Sequence, residues 1–385
     1  MQGFKNSLTY LENIGIVKTS CTFSNENITA IGKGLNIDNP INLPENAVVL
    51  PGFIDQHIHG AGGFDVMDAT KEGLSKIANS VASEGVTSFL ATTMTQSEEK
   101  IISVMKCVNN YINSKPKEGA ELIGVHLEGP FINPKKAGAQ PIEYIISPSL
   151  SKFNEFNNLS GNNIKIVTIA PEMEGATEFI AGLDKSKTVV SIGHSNATFN
   201  ELEKALDNGA SQITHTFNAQ SPFTHREIGV AGGAMLLNDL ACEVICDLVH
   251  VSPQALKLLF KNKPHDKIIF ISDAMRAKNL GDTQSELGGQ KVFVHNGQAR
   301  LENGTLAGSV LKLNDAIKNA VTVCKMPFCT AINCVTANPA KNLKVFDKIG
   351  SISVNKKANF TVMDINSFDI LLTVRNGEII YKANY

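Results

Sequence analysis

The chain reads LIGVHLEGP from Leu122 to Pro130, an apolar run that ends in a histidine, a glutamate and a glycine–proline pair. Seven further apolar runs between residues 52 and 272 end in polar or glycine residues in the same way. The eight runs are Gly52–Asp55, Val86–Thr92, Leu122–His126, Ile164–Ala170, Thr188–Ile192, Gln212–Thr216, Glu243–Asp247 and Lys267–Ser272. Short apolar runs of this kind are typical of strands buried in a parallel sheet.

Helical patterns fill most of the gaps between these runs. Apolar residues from Ile101 to Ile112 keep the spacing of one helix face. Thr198 and Glu201 have the spacing of a capping box, and Ser252-Pro253 combines an N-cap residue with proline in the first helical turn. Eight strand–helix units over about 220 residues match a (β/α)8 barrel in length and rhythm. An open doubly wound sheet is the alternative, but it rarely needs eight strands in such a row.

The two ends of the chain differ from the middle. Residues 1–50 and 344–385 contain short β-like runs separated by turns, and Asn376-Gly377 is a hairpin signal. We therefore predict an α/β fold: a TIM-like (β/α)8 barrel with a small β-sandwich domain formed by both termini. The predicted boundaries are residues 1–52 plus 344–385 for the β-sandwich domain and residues 53–343 for the barrel.

Composition excludes several classes of protein. Hydrophobic residues make up 43% and charged residues 19% of the 385 residues, which excludes a disordered or coiled-coil chain. The net charge of −2 leaves no basic excess for binding nucleic acid. No apolar run reaches the roughly 18 residues of a membrane span, so we expect a soluble, cytoplasmic protein without a membrane partner. The seven cysteines form no CxxC pair and are predicted to be free, buried thiols.

Chemistry in a barrel of this type lies at the carboxyl ends of the strands. Glu128, Asp273 and six of the nine histidines occur at the ends of the predicted strands. The six histidines are His57, His59, His126, His194, His215 and His250. Each alone could be a core histidine or an ion-pair partner, but together they favour a functional site.

The histidine pair and the glutamate each indicate a specific chemistry. His57 and His59 share one strand face, which makes a half-site for a divalent metal. Glu128 is a carboxylate in an apolar strand and needs a partner, which a metal, a base or a buried salt bridge could supply.

Six motifs resemble the metal-dependent amidohydrolase superfamily, and within it the N-acetylglucosamine-6-phosphate deacetylase family. They are Pro51–Asp55, His126–Phe131, Gly193–Thr198, His215–Ala219, Ser272–Ala274 and Leu306–Ser309. The second and third motifs are specific to this branch. The β-rich ends also fit the small domain of the family, so the resemblance covers nearly the whole chain.

The resemblance implies a metal centre. Glu128, His194 and His215 would hold a main ion, and His57 and His59 a second one, bridged by Glu128. Sequence does not choose among Zn, Fe, Mn and Co, nor between one and two ions. The same resemblance makes Asp273 the general base and acid, which takes a proton from water and delivers it to the departing amine.

The resemblance also implies a set of substrate contacts. They are Ala139, Gln140, Asn218, Ala219, Arg226, His250, Leu306, Ala307 and Gly308. Arg226 is the implied phosphate ligand, although sequence alone favours an exposed surface arginine. Many relatives carry histidine where Gln140 stands, and we hypothesise that a second metal polarises the substrate carbonyl in its place.

The expected function is hydrolysis of N-acetyl-D-glucosamine 6-phosphate to D-glucosamine 6-phosphate and acetate, in amino-sugar catabolism and cell-wall sugar recycling. The expected partners are the sugar phosphate and a second copy of the chain in a homodimer. One alternative is another amidohydrolase that acts on a cyclic amide or an N-acyl amino acid. A non-catalytic barrel is disfavoured, because it would be expected to lose metal ligands or Asp273.

Overall fold

The N-terminal residues form the first strands of a small β domain. The structure, a computed structural model, describes residues 1–384. The strands are β1 (Gln2–Leu11), β2 (Gly15–Ser24), β3 (Asn27–Gly32), β4 (Asn39–Ile41) and β5 (Ala47–Pro51). β1 pairs antiparallel with β2 and parallel with β4 and β5.

The middle of the chain alternates strands and helices. The strands are β6 (Phe53–Ile58), β7 (Gly60–Ala61), β8 (Phe64–Asp65), β9 (Val86–Thr92), β10 (Glu121–Glu128), β11 (Ile164–Ile169), β12 (Val189–Ile192), β13 (Gln212–Ile213), β14 (Ala241–Val244) and β15 (Ile268–Phe270). The helices are α1 (Lys71–Ala82), α2 (Glu98–Asn113), α3 (Leu150–Leu159), α4 (Ala176–Gly182), α5 (Phe199–Asp207), α6 (Gly229–Leu236) and α7 (Pro253–Asn262). Short 3-10 turns cover Val66–Asp68, Pro134–Lys136, Ile142–Tyr144 and His265–Lys267.

A parallel sheet in the order β6-β9-β10-β11-β12-β13-β14-β15 forms the barrel. The segment after β15 closes it against β6. The Asp273 amide donates to the His57 carbonyl at 2.8 Å, and the His59 amide donates to the Ala274 carbonyl at 2.8 Å. This closure places Asp273 directly beside the His57–His59 pair.

The remaining elements follow β15. β16 (Thr283–Leu287), β17 (Gln290–His295) and β18 (Gln298–Leu301) form a separate antiparallel sheet, which the sequence analysis did not predict. The last elements are α8 (Leu313–Thr322), α9 (Phe328–Asn333), α10 (Ala337–Asn342), β19 (Phe360–Asp364), β20 (Ile370–Arg375) and β21 (Glu378–Lys382). β19 pairs with β5, so both termini share one sheet. The rings of Phe4, Phe23 and Phe360 pack together in its core, with centroids 5.1–5.8 Å apart.

The predicted fold class is confirmed, and each of the eight apolar runs overlaps a barrel strand. The capping box at Thr198 and the N-cap at Ser252 begin α5 and α7 as predicted. Several strands end earlier than predicted. β13 stops at Ile213 because His215 has a positive φ of 28°, a conformation that cannot continue a strand.

The barrel interior is polar above an apolar base. Ile54, Leu90 and Ile166 pack with Ala340 of α10 in one buried cluster. Above them, Asn342 at the end of α10 donates to side chains of the barrel strands. Within residues 1–384, no helix is long and apolar enough to cross a membrane.

Candidate active site

Three of the predicted site residues stand where the backbone turns sharply after a strand. His194, His215 and Asp273 have φ angles of 46°, 28° and 48°, a left-handed conformation that costs free energy for residues other than glycine. Such strain persists where the surrounding structure over-determines it, and it clusters at functional sites. These three residues therefore mark the carboxyl ends of the fifth, sixth and eighth barrel strands as the site.

Glu128 is the centre of the cluster. Its Oε1 lies 3.0 Å from His215 Nε2 and 3.2 Å from His194 Nε2. The two Nε2 atoms are themselves 3.1 Å apart. Glu128 is 1% exposed, so its charge has no access to bulk water.

The His57–His59 pair approaches the same carboxylate from the first strand. His59 Nε2 lies 3.1 Å from Glu128 Oε2 and 3.2 Å from Asp273 Oδ1. His57 Nε2 lies 3.5 Å from Glu128 Oε1 and 3.4 Å from Asp273 Oδ1. The predicted pairing of the two histidines is therefore present in the fold, with Asp273 as a further neighbour.

These atoms fit divalent metal ions. Ligands in a tetrahedron with bonds of about 2.0–2.1 Å stand about 3.3 Å apart, close to every separation above. His194 Nδ1 lies 2.8 Å from the Lys136 carbonyl oxygen, which can only accept, so Nδ1 keeps its proton and the neutral ring would offer the Nε2 lone pair to a metal ion. His57 Nε2 is buried and has no hydrogen-bond partner among the described residues. Nitrogen and carboxylate donors suit Zn, Fe, Mn or Co.

The protein groups hold both carboxylates ionised. Burial would raise the pKa of Glu128, but the nearby charge of His57 and hydrogen bonds from His194 and His215 hold that pKa well below its usual range. Burial is likewise outweighed at Asp273, where His57 and His59 lower the pKa to about 2. The site therefore presents two anions to any cation that lies between the imidazoles.

His126 is a different kind of residue. Its Nε2 lies 2.7 Å from Thr168 Oγ1, away from Glu128. Burial and the charge of His57 lower the pKa of His126 to about 3, so its ring is neutral. Its position agrees with a supporting role beneath the cluster.

Gln140 occupies the position expected of a substrate contact but also touches the cluster. Its Nε2 donates to Glu128 Oε2 at 3.1 Å, and its Oε1 accepts from the Thr95 amide at 2.6 Å. The side chain is 4% exposed and is held at both ends. Gln140 therefore orients the shared carboxylate.

A pocket of about 490 Å³ opens above the cluster. The predicted site residues that line it are His59, Glu128, Ala139, Gln140, His194, His215, Asn218, Ala219, His250, Asp273, Leu306 and Gly308. His57 and Ala307 are fully buried behind this lining. Arg226 is exposed on the loop between β13 and α6, and it is not among the described residues that line the pocket.

The pocket mouth carries cations that the sequence analysis missed. Lys135, Lys136 and Arg300 all line it, and none of them is among the predicted site residues. Arg300 donates to Gln298 Oε1 and to the Gly304 carbonyl, which leaves N–H donors of its guanidinium for an anion. Lys136 also donates to the Gln220 carbonyl at 3.0 Å, which ties the mouth to the β13–α6 loop.

His250 also lines the pocket, and a neighbouring carboxylate favours its charged form. Its Nδ1 lies 2.6 Å from Asp247 Oδ2. Burial lowers the pKa of His250, but the hydrogen bond to Asp247 outweighs it, and the net shift is upward. His250 therefore carries positive charge at higher pH than an ordinary histidine.

Two carboxylates near the proposed metal ligands were also missed, half-buried Glu172 and fully buried Glu243. Glu172 accepts from the Ser195 hydroxyl at 2.8 Å and the Asn196 amide at 2.5 Å, and so holds the loop that carries His194. Glu243 lies 3.0 Å from His57 Nδ1. A carboxylate in an apolar strand singled out Glu128, and the same signal could have found Glu243.

The barrel and its cluster of imidazoles around a buried carboxylate define a class of metal-dependent hydrolase. The model of the amidohydrolase family matches residues 48–380. The chain therefore belongs to the amidohydrolase family.

Individual relatives narrow this class. The N-acetylglucosamine-6-phosphate deacetylase of Bacillus subtilis is 40% identical over 343 residues, which are 89% of this chain and 86% of the relative. The crystal structure of N-acetylglucosamine-6-phosphate deacetylase from Thermotoga maritima covers 99% of this chain and 100% of its own, with 34% identity and a TM-score of 0.89. A mutant of the Mycobacterium smegmatis deacetylase, solved in complex with N-acetyl-D-glucosamine-6-phosphate, covers 99% of both chains with 26% identity and a TM-score of 0.90. Within the amidohydrolases, the chain is a member of the N-acetylglucosamine-6-phosphate deacetylase family.

Proposed function

We propose that this chain hydrolyses N-acetyl-D-glucosamine 6-phosphate to D-glucosamine 6-phosphate and acetate. The observation that carries the proposal is a single pocket with two chemically different ends. Its floor places Glu128 among four imidazoles, and its mouth carries Lys136, Arg300 and His250. The floor suits hydrolysis of an amide, and the mouth suits a phosphate dianion. The reaction would serve amino-sugar catabolism and the recycling of cell-wall sugars.

The floor would hold one or two divalent ions. Glu128, His194 and His215 are proposed as ligands of a main ion, and His57 and His59 as ligands of a second, with Glu128 shared between them. When bound, such an ion supplies water that is acidic enough to attack at neutral pH. Gln140 donates to Glu128 Oε2 and would keep that oxygen aimed at the second site.

Asp273 is the proposed general base and acid. Its Oδ1 faces both His57 and His59, and its low pKa keeps it ionised at neutral pH. It would accept the proton of the attacking water and then deliver it to the amine nitrogen. An amine leaves poorly unless it is protonated, so both halves of this transfer lower the barrier.

The remaining predicted contact residues would bind the sugar phosphate. Ala139, Asn218, Ala219, Leu306 and Gly308 line the pocket between floor and mouth, and Ala307 lies behind them. Arg226 lies on an exposed loop outside this lining. We therefore propose a homodimer in which Arg226 of one copy reaches the pocket of the other.

A cytoplasmic location is part of the same proposal. All seven cysteines are free in the described part of the chain, and five of them are buried. Thiols persist in this state in a reducing compartment.

The test is acetate release by purified, metal-replete protein. N-acetylglucosamine 6-phosphate is compared with the unphosphorylated sugar, and the wild type with Asp273→Asn. We expect turnover of the phosphorylated sugar alone, with kcat about 10²–10⁴-fold lower in the variant. Asp282→Asn, which removes an exposed carboxylate paired with His295, is the matched control and should retain full turnover. Absence of turnover with metal demonstrably bound would contradict the proposed substrate.

A further inference from the structure

We propose that Glu243 is the positioning residue of the second metal site, because its carboxylate sets the tautomer of His57 and so turns the Nε2 lone pair toward the metal. This inference rests on the proposed function for the existence of that site. It concerns a residue on the seventh barrel strand, β14, which lies below the pocket and does not line it.

The carboxylate of Glu243 is surrounded by donors. Oε1 accepts from Gln56 Nε2 at 2.8 Å and from Gln212 Nε2 at 2.9 Å. Oε2 lies 3.0 Å from His57 Nδ1 and accepts from the His215 amide at 3.3 Å. Both side chains of the Glu243–His57 pair are fully buried. With three N–H donors already directed at it, the carboxylate is satisfied as an anion that only accepts.

This arrangement decides where the His57 proton resides. A carboxylate that only accepts requires a proton on His57 Nδ1. When His57 is neutral, as a metal ligand must be, its lone pair is therefore on Nε2, which faces Glu128 and Asp273 at 3.5 and 3.4 Å. A carboxylate that bonds the far nitrogen of a ligating histidine fixes both its tautomer and its ring orientation.

The local strand geometry explains how one carboxylate serves two adjacent residues. The pairing of β6 with β9 shifts register between Asp55 and Ile58. Through this irregularity the side chains of Gln56 and His57 both reach Glu243, which a regular strand would not allow. Irregularities of this kind re-aim side chains next to active sites.

The contacts also distinguish the two proposed metal sites. Glu243 bonds the side chain of His57 but only the backbone amide of His215. His194 instead takes its tautomer from the Lys136 carbonyl. Loss of the Glu243 charge should therefore weaken the second site selectively.

Glu243→Gln is the decisive variant. Gln56 and Gln212 both donate toward the position of Oε1, so the amide oxygen of the new side chain should take that place. The amide nitrogen then replaces Oε2 and donates to His57 Nδ1, which forces the proton onto Nε2. The variant keeps the shape of the side chain and inverts the tautomer.

The experiment titrates metal-free protein with Co²⁺ and follows the d–d absorption and the bound stoichiometry. We expect wild type to bind two ions, and Glu243→Gln to bind the second ion about 10–100-fold more weakly. The first ion should be affected much less, because its ligand His215 loses only a backbone hydrogen bond of 3.3 Å. Nitrogen-15 NMR of the Zn²⁺-loaded protein should show the Nδ1–H signal of His57 in wild type and lose it in the variant.

Asn342→Leu is the matched control. Asn342 donates to Gln56 and Gln212 but does not touch Glu243, so this variant disturbs the same buried network without the carboxylate. It should keep both ions and the Nδ1–H signal. If Glu243→Gln does not fold, Glu243→Asp retains the charge on a shorter arm and should show a weaker second ion with the Nδ1–H signal preserved.

The outcomes separate this inference from the proposed function. A Glu243→Gln protein that binds the second ion as tightly as wild type and keeps the Nδ1–H signal would overturn the role of Glu243. A wild type that binds a single ion would instead contradict the two-metal site. In that case the NMR signal of His57 still decides whether Glu243 sets its tautomer.

Discussion

At the floor of the pocket every proposed ligand is buried and bonded to another protein group, whereas at the mouth the cations Lys135, Lys136 and Arg300 are more exposed and come from outside the barrel strands. The five floor residues are His57, His59, Glu128, His194 and His215, and none is more than 6% exposed. At the mouth, Lys135 is exposed, and Lys136 and Arg300 are half-buried. The difference is physical. Reacting groups need fixed geometry and a low dielectric, whereas groups that recognise substrate near the surface tolerate adjustment.

The largest effect is expected from a substitution at the floor of the pocket. Glu128→Gln removes the anionic ligand that both proposed metal sites share, and leaves the imidazoles without the charge that compensates a cation. We expect bound metal to fall and turnover to drop by at least about 10³-fold, as for loss of a principal electrostatic group. Elemental analysis and acetate release measure both quantities.

A carboxylate on the same strand provides the control for that change. Glu121 begins β10 and pairs with Lys357 at 3.1 Å, far from the pocket lining. Glu121→Gln should retain metal and activity. Full metal content together with turnover in Glu128→Gln would mean that the floor does not depend on a shared anion.

The next largest effect is expected from a substitution at the mouth of the pocket that leaves the floor unchanged. Arg300→Met removes the guanidinium and keeps much of the apolar stem. A hydrogen bond to a charged group is worth about 1.5–3 kcal/mol, so KM for the phosphorylated sugar should rise about 10–100-fold while kcat changes little. Lys291→Met, an exposed cation on the same small sheet, is the control. An unchanged KM would place the phosphate elsewhere than beside Arg300.

The same division explains what could be predicted from sequence. The floor residues follow barrel strands, and the rule that chemistry lies at the carboxyl ends of strands placed them together. The i, i+2 spacing of His57 and His59 predicted that both would face one site, and both do reach Glu128, although β6 ends at Ile58 and its pairing with β9 is irregular there. The fold was predictable for the same reason, since eight apolar runs with helical spacers permit few arrangements.

The mouth follows no such rule. Arg300 comes from β18 of a sheet inserted after the eighth barrel strand, and nothing in a single sequence places that sheet over the pocket. Lys136 is in a short 3-10 turn whose position depends on tertiary packing. Glu243 is a different case: its position in an apolar strand could have singled it out, but its partner His57 lies 186 residues away in sequence, so its role becomes visible only in the fold.

A pH profile sharpens the comparison further. Asp247 raises the pKa of His250 against the effect of burial, Asp273 also raises it, and Arg300 lowers it. Because the folded pKa lies above the ordinary value, the cation persists to higher pH than in an ordinary histidine and is lost as pH rises through that raised pKa. We expect KM for the phosphorylated sugar to increase on this alkaline limb by up to about 10-fold.

Two variants test this assignment. Asp247→Asn removes the carboxylate that raises the pKa, so the limb should move to lower pH. His250→Asn should abolish the limb and leave KM high at every pH. A limb that persists unchanged in His250→Asn would assign the titration to another group.

The smallest effect is expected from a substitution that lowers the stability of the fold without changing the site. Thr198 lies four residues after His194 and is the N-cap of α5. Its hydroxyl accepts a hydrogen bond from the Glu201 amide. Thr198→Ala should lower the free energy of unfolding by about 1 kcal/mol, measured by urea denaturation. Ser252→Ala, at the N-cap of α7, should cost a similar amount. Neither should change metal affinity or kcat, because the Lys136 carbonyl holds His194, Glu172 holds the next two residues, and neither contact involves the cap. A loss of metal affinity in Thr198→Ala but not in Ser252→Ala would show that the floor of the pocket depends on the start of α5. The rigidity of the floor would then come from the helix as much as from the buried hydrogen bonds.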